Sequence, residues 1–185
     1  MVLTEEEKLI LLKAARQSIL SAFGEQVAEK IGYEKFPSLK INSGAFVTLT
    51  IDGDLRGCIG YIMSDMPLYD TVCDAAMQAA FNDPRFPSLN KSEVKFINIE
   101  ISVLSVPDSI SEYDEIEIGK HGLLLDERSR ALLLPQVAVE HHYDREMFLS
   151  SLCEKAGMKK NTWKERKLNL KVFTATIFSE KNMRR

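Results

Sequence analysis

The sequence predicts an α+β fold: a duplicated hairpin, helix and strand unit behind an N-terminal helix, with a mostly antiparallel or mixed sheet and flanking helices. Three observations carry this. Apolar residues switch from helical spacing to strict alternation and back along the chain. Asp52-Gly53 stands between two strand-like runs, a strong local hairpin signal. The order then repeats. From the turn near Gly53 the next helix centre lies about 22 residues on and the next strand about 46, and the turn near Arg128 shows the same two intervals.

Each element has its own cause. Thr4-Glu5-Glu6-Glu7 has the form of a capping box, and Leu9, Leu12, Ala15, Ile19 and Phe23 follow at helical spacing, predicting a helix to about Phe23. After a mixed stretch ending at Pro37, Ala45, Val47, Leu49 and Ile51 alternate with Phe46, Thr48 and Thr50, which is a strand pattern. The turn at 52–54 leads back into a second strand over 55–62. Two registers compete here. A two-residue turn pairs Ile51 with Asp54 and sets Cys58 opposite Val47; a three-residue loop pairs Ile51 with Leu55 and Val47 with Ile59. The second is preferred, because it gathers Val47, Leu49, Ile51, Leu55, Ile59 and Tyr61 on one buried face and leaves Thr48, Thr50, Arg56, Cys58 and Gly60 on the other.

A helix is expected from about Pro67 to Phe81, stopped by Asn82-Asp83-Pro84. Phe96 to Leu104 reads as a strand with Ile97, Ile99, Ile101 and Val103 on one face. In the second copy, 121–125 and 131–134 flank the polar turn 126–130. A helix follows from about Asp144, ended by Gly157 in the left-handed conformation, and a strand spans 172–178.

Length and composition bound the rest. With 185 residues, 45% of them hydrophobic, residues 1–185 suit a single domain, either one core or two subdomains sharing it. No apolar run reaches the roughly 18 residues that cross a bilayer, and acids interleave the leucines of Met1 to Leu12, unlike a signal peptide. A cytoplasmic protein without membrane partners is expected. Cys58, Cys73 and Cys153 form no CxxC pair, so neither a disulfide framework nor a metal site is expected. A formal charge of −3 argues against nucleic acid as a partner, since phosphate binding needs a cationic surplus. The basic run from Lys155 to Lys167 reads as a solvated face. No phosphate-cradling loop, dinucleotide fingerprint or H-E-x-x-H occurs, and no cofactor is expected.

The chemistry-bearing stretch is Leu55-Arg56-Gly57-Cys58-Ile59-Gly60. Strand alternation puts Arg56 and Cys58 on one face roughly 6.6 Å apart, where a guanidinium favours the thiolate. Gly57 and Gly60 weaken a strand interior and mark a close approach by a ligand or another backbone. Asp83 and Arg85, stiffened by Pro84 and Pro87, form a second candidate group, an arginine suited to holding a carboxylate or phosphate. His121, beside Gly122, is a candidate proton partner for Cys58. His141 and His142 lack metal-binding spacing and read as surface residues. Cys73 and Cys153 lie on apolar helical stripes and read as core.

The segments FVTLTIDGDLRGCIGYI, AAFNDPRFPSL, IEISVLSVP, GKHGLLL and LLPQVAVEHHYDREMFLSSLCEKAGM, spread from about residue 44 to 158, resemble the AMMECR family, in its prokaryotic branch the A proteins of AmmeMemoRadiSam systems. The resemblance implies an α+β fold with a duplicated pattern and a functional surface around Leu55 to Gly60. It implies no established activity. Prokaryotic relatives accompany a Memo-like protein and a radical S-adenosylmethionine enzyme, so those two are the implied partners in a shared modification pathway. The expectation is a component of such a system that uses the Arg56 and Cys58 face to bind a substrate or carry a group. Catalytic residues would be Cys58, Arg56 and His121, with Leu55, Gly57, Ile59, Gly60, Asp83 and Arg85 binding. The alternative is a non-catalytic adaptor.

Overall fold

The computed structural model describes residues 2–25 and 32–183. In chain order the elements are α1 (Glu5–Ser21), β1 (Ala45–Ile51), β2 (Asp54–Tyr61), α2 (Leu68–Phe81), β3 (Ile97–Leu104), β4 (Asp108–Ser109), β5 (Gly122–Leu125) and β6 (Ala131–Leu133). Then come α3 (Pro135–Glu140), α4 (Arg145–Lys155), α5 (Thr162–Glu165), β7 (Leu170–Phe173), β8 (Ala175–Ser179) and α6 (Glu180–Met183). The chain divides into two compact units, one made of residues up to 104 and from 176 on, the other Ser105–Ala175. The architecture is α+β; β1 pairs antiparallel with β2 and β3, and β5 with β6 and β7, while β4 pairs antiparallel with β7.

In the first unit α1 and α2 cover one face of a sheet ordered β2-β1-β3-β8. Thr4 caps α1 as the pattern predicts: its hydroxyl accepts the Glu7 N–H at 3.2 Å, and Glu7 accepts the Thr4 N–H at 2.9 Å. Leu12, Ala15 and Ile19 are buried, whereas Leu9, expected beside them, is 40% exposed because Leu11 takes the inner position. The face of α2 toward the sheet is made largely of Ala75, Ala76, Ala79 and Ala80. Such small side chains let the helix axis sit close to the strands, above buried Val47, Leu49, Ile99 and Ile101.

In the second unit the sheet is ordered β4-β7-β5-β6, with α4 packed on β6 and α3 on β5. Phe148, Leu149, Leu152 and Cys153 of α4 fill its core with Leu123, Leu125 and Leu170. Asp144 caps α4 by accepting the Met147 N–H at 2.8 Å, and Gly157 follows the helix at φ 72°, the left-handed stop expected there.

Read outward from its hairpin, the second sheet is β6-β5-β7-β4, strand for strand the same order as β2-β1-β3-β8. The first strand of each hairpin is therefore internal, paired both with its hairpin partner and with the strand that follows the helix. One expectation needs correction. The single strand over 172–178 is two strands in different sheets, broken at Thr174, whose N–H donates to the Ser105 hydroxyl at 3.0 Å. As a result each sheet receives its fourth strand from the chain beyond its own duplicated unit. The β8 strand and α6 bring Glu180 to Arg16, whose Nε and Nη2 both donate to that carboxylate at 2.5 Å. Arg16 also donates to the carbonyls of Val94 and Ile97, and Glu180 accepts the Ile99 N–H.

Candidate functional site

The β1–β2 hairpin satisfies both competing registers, each in its own half. At the tip Ile51 pairs with Asp54 across Asp52 (φ 53°) and Gly53 (φ 96°), positive at both central residues as a two-residue turn of the hairpin-favoured type demands. Farther along, Val47 pairs with Ile59, Thr48 with Cys58 and Leu49 with Gly57. The register shifts between Leu49 and Thr50, so Arg56 is the extra residue of a β-bulge. Leu55 consequently lies beside Thr50 and is 42% exposed, not on the buried face where the unbulged three-residue register places it.

The two glycines answer to packing. At Gly57 a Cβ would lie 2.1 Å from the Ala79 carbonyl oxygen, so the close approach expected there is by the backbone of α2. At Gly60 it would lie 2.5 Å from Phe46 Cα and 2.6 Å from that residue's ring. Ile59 packs partly buried against the core. Arg56 is likewise committed: its Nε and Nη2 hold both oxygens of Glu93 at 2.9 and 3.1 Å, and Nη1 donates to the Pro87 carbonyl at 2.9 Å. Arg56 holds the Glu93 carboxyl below its usual range, aided by the Asn90 N–H. The bulge thus anchors the segment between α2 and β3 to the hairpin.

That segment returns to β2 through Asp83 and Arg85. The carboxylate of Asp83 is 1% exposed and accepts four N–H groups. Oδ2 accepts from the Cys58 amide at 2.9 Å and Arg85 Nη2 at 2.7 Å; Oδ1 accepts from the Arg85 amide at 3.1 Å and Arg85 Nε at 2.9 Å. The Arg85 guanidinium, with the two amides, holds the Asp83 carboxyl far below the ordinary carboxylate range despite burial. Arg85 Nη2 also donates to the Cys58 carbonyl at 3.2 Å. Because β2 lies at the sheet edge, the ion pair occupies both outward backbone groups of Cys58, as the carbonyl and amide of a neighbouring strand would.

With these contacts assigned, Cys58 and the exposed Leu55 are the side chains of the six-residue stretch that the hairpin's architecture does not explain. Cys58 is partly exposed, and its sulfur stands 3.2 Å from the Thr48 hydroxyl, its cross-strand partner. Cys153 is fully buried in the second unit as expected, whereas Cys73, expected in the core, is partly exposed; burial pushes both of these thiols up. The structure therefore brings Cys58, Asp83 and Arg85 into direct contact and ties Arg56 to Glu93. His121 belongs to the second unit, where its Nδ1 accepts the Glu117 N–H at 3.2 Å. His141 and His142 are exposed, and among the described residues no cluster of His, Cys, Asp or Glu could hold a metal ion.

Two participants escaped the sequence reading. Alternation puts Thr48 on the face of Cys58, but its contact with sulfur follows only from the register. Glu93 was missed; its local signal is Asn90-x-x-Glu93, in which the carboxylate accepts the Asn90 N–H at 2.9 Å.

The AMMECR1 family model matches residues 12–178. A protein of Methanocella arvoryzae is 40% identical over 190 residues, covering 97% of this chain and 93% of that one. A protein of Sulfolobus acidocaldarius is 41% identical over 184 residues, covering 93% and 81%. Among solved structures, the uncharacterized protein PH0010 from Pyrococcus horikoshii superposes with a TM-score of 0.83 at 34% identity, over 94% of this chain and 91% of that one.

Proposed function

The chain belongs to the AMMECR1 family, and from that premise we propose that the Cys58 face is the working surface of a component of a Memo-like and radical S-adenosylmethionine modification system, binding a substrate or transiently carrying a group on sulfur. The observation that supports it most is the contrast among the six residues. Gly57, Gly60 and Arg56 have structural partners, while a partly exposed thiol is held in place by a clamp on its own backbone. An ion pair whose carboxylate is almost wholly buried fixes the strand beneath the sulfur, which is how a reactive group is kept in one geometry. Thr48 can donate to a developing thiolate. In this reading Arg56 is a scaffold residue of the site through Glu93.

Limited iodoacetamide labelling, mapped by peptide mass, tests the thiol reading with two internal controls. Cys58 is expected to label well before Cys73 and Cys153. Labelling of Cys58 no faster than Cys153 would remove thiol chemistry and leave the adaptor reading, in which Cys58→Ser preserves function in cells.

A further inference from the structure

We infer that Arg85 is the docking group for an oxyanion, so that the Cys58 face takes a ligand bearing a carboxylate or phosphate next to the sulfur; this rests on the reading of that face as a binding surface. The guanidinium is built into place rather than free on the surface. Its Nε and Nη2 are fixed on the buried Asp83 carboxylate, and Nη2 reaches the Cys58 carbonyl. Its Cζ lies over the Phe86 ring, 5.5 Å from the centroid. Yet the side chain is 54% exposed, and Nη1 has no partner among the described residues. A rigid arginine with Nε and Nη2 held by a buried acid and a backbone carbonyl, and Nη1 left over, is preorganised for an acidic oxygen at little further cost in rotamer freedom.

Charge is consistent with a selective rather than a strong anion site. Asp83 balances Arg85, and Arg56 is balanced by Glu93, so no diffuse positive field gathers anions. What remains is directional hydrogen bonding from Nη1, since both N–H groups of Nη2 are taken by Asp83 and the Cys58 carbonyl, worth the preference that one charge-assisted donor gives. Arg85 Nη2 sits 3.2 Å from the Cys58 carbonyl, so an oxygen docked on the same guanidinium and the Cys58 sulfur fall within one ligand's reach.

A pair of alkylating reagents of nearly equal size reads this out. In both reactions the Cys58 thiolate attacks the methylene carbon, the C–S bond forms, the C–I bond breaks, iodide leaves with the electron pair, and the thiol proton passes to buffer. Iodoacetate carries an oxyanion and iodoacetamide does not. The rate ratio of iodoacetate to iodoacetamide at Cys58 is expected to exceed the same ratio at Cys73 by about three- to tenfold, as one charge-assisted contact at a half-exposed site allows. Arg85→Gln should abolish the excess. Since that variant leaves Asp83 unpaired, the unaltered chain supplies a second measure: malonate or inorganic phosphate should protect Cys58 from iodoacetamide, and whichever protects identifies the source of the oxyanion. Failure of the thiol reading is separated by Cys58→Ser, in which the same two anions should still shift the Arg85 Nε–H resonance. Equal ratios at Cys58 and Cys73 without protection, or no resonance shift in Cys58→Ser, would overturn the assignment.

Discussion

Replacing Asp83 by Asn tests the clamp that holds the site. The change preserves shape but converts one carboxylate oxygen into an NH2 group. Each oxygen accepts two N–H donors, so the amide nitrogen must face two of them whichever way it turns. Two charge-assisted hydrogen bonds disappear, and the carboxylate they served is buried. Counting the loss at the lower end because the Arg85 partner is half exposed, Asp83→Asn should cost about 3 to 4 kcal/mol. For a chain of this size that is a fall of roughly 6 to 16 °C in melting temperature. The assay must report on the first unit, and tryptophan fluorescence does not, since the one tryptophan, Trp163, lies in the second. Hydrogen exchange of the Cys58 amide, with urea unfolding followed on β1 and β2 amides, does. The pH dependence has a definite sign. The Asp83 pKa is depressed in the folded state, so its contribution is present above the usual value of about 4 and fades as pH falls through the depressed one. The gap between the two proteins should therefore narrow only in strong acid. A stability change within about 0.5 kcal/mol, with the Cys58 amide as protected as before, would refute the clamp.

Other expectations follow from the same contacts. Gly57→Ala should cost about 3 kcal/mol or more, or prevent folding, because the added carbon meets the Ala79 carbonyl oxygen at 2.1 Å; urea unfolding of the variant checks it. Glu180→Ala leaves Arg16 without its carboxylate on a site where both are mostly buried, and should lower first-unit stability by about 3 kcal/mol in hydrogen-exchange measurements. Tyr61 donates to Asp74, and that hydrogen bond, with burial, pushes its phenol up to about 12. The stabilisation it gives is complete below the ordinary tyrosine value of about 10 and is lost as pH rises through the folded one, so Asp74→Asn should bring the latest-ionising tyrosine down in an ultraviolet titration.

What could be read in advance is what lies close in sequence or follows a period. Thr4 and Glu7 cap α1, Gly157 ends α4 and the duplicated hairpins recur because three to five neighbouring residues decide each. The hairpin register shows the limit of such rules. Turn chemistry favours one alignment, the alternation of Val47, Leu49 and Ile59 the other, and the bulge at Arg56 lets both hold. Neither rule alone contains an extra residue, so the alternation places Leu55 on the buried face while the bulge leaves it exposed. Thr174 carries no helix or turn signal, yet the chain changes sheets there because β3 has an open edge for β8. Glu93 and Glu180 meet arginines 37 and 164 residues away, pairings that only tertiary structure can decide. Two glycines in a strand signal a close approach, but which body approaches them, α2 or the Phe46 ring, is a matter of packing.

The return of β8 to the first sheet imposes an order on biosynthesis. When Leu104 has left the ribosome, β1, β2 and β3 are all present, but the rim strand and the acid that neutralises Arg16 are still untranslated. At ordinary elongation rates the roughly seventy intervening residues take roughly 4 to 14 s. Throughout that interval the nascent N-terminal half carries a bare β3 flank and an unanswered cation, a natural client for chaperones. A premature stop codon between β3 and β7 therefore removes strands from both sheets at once.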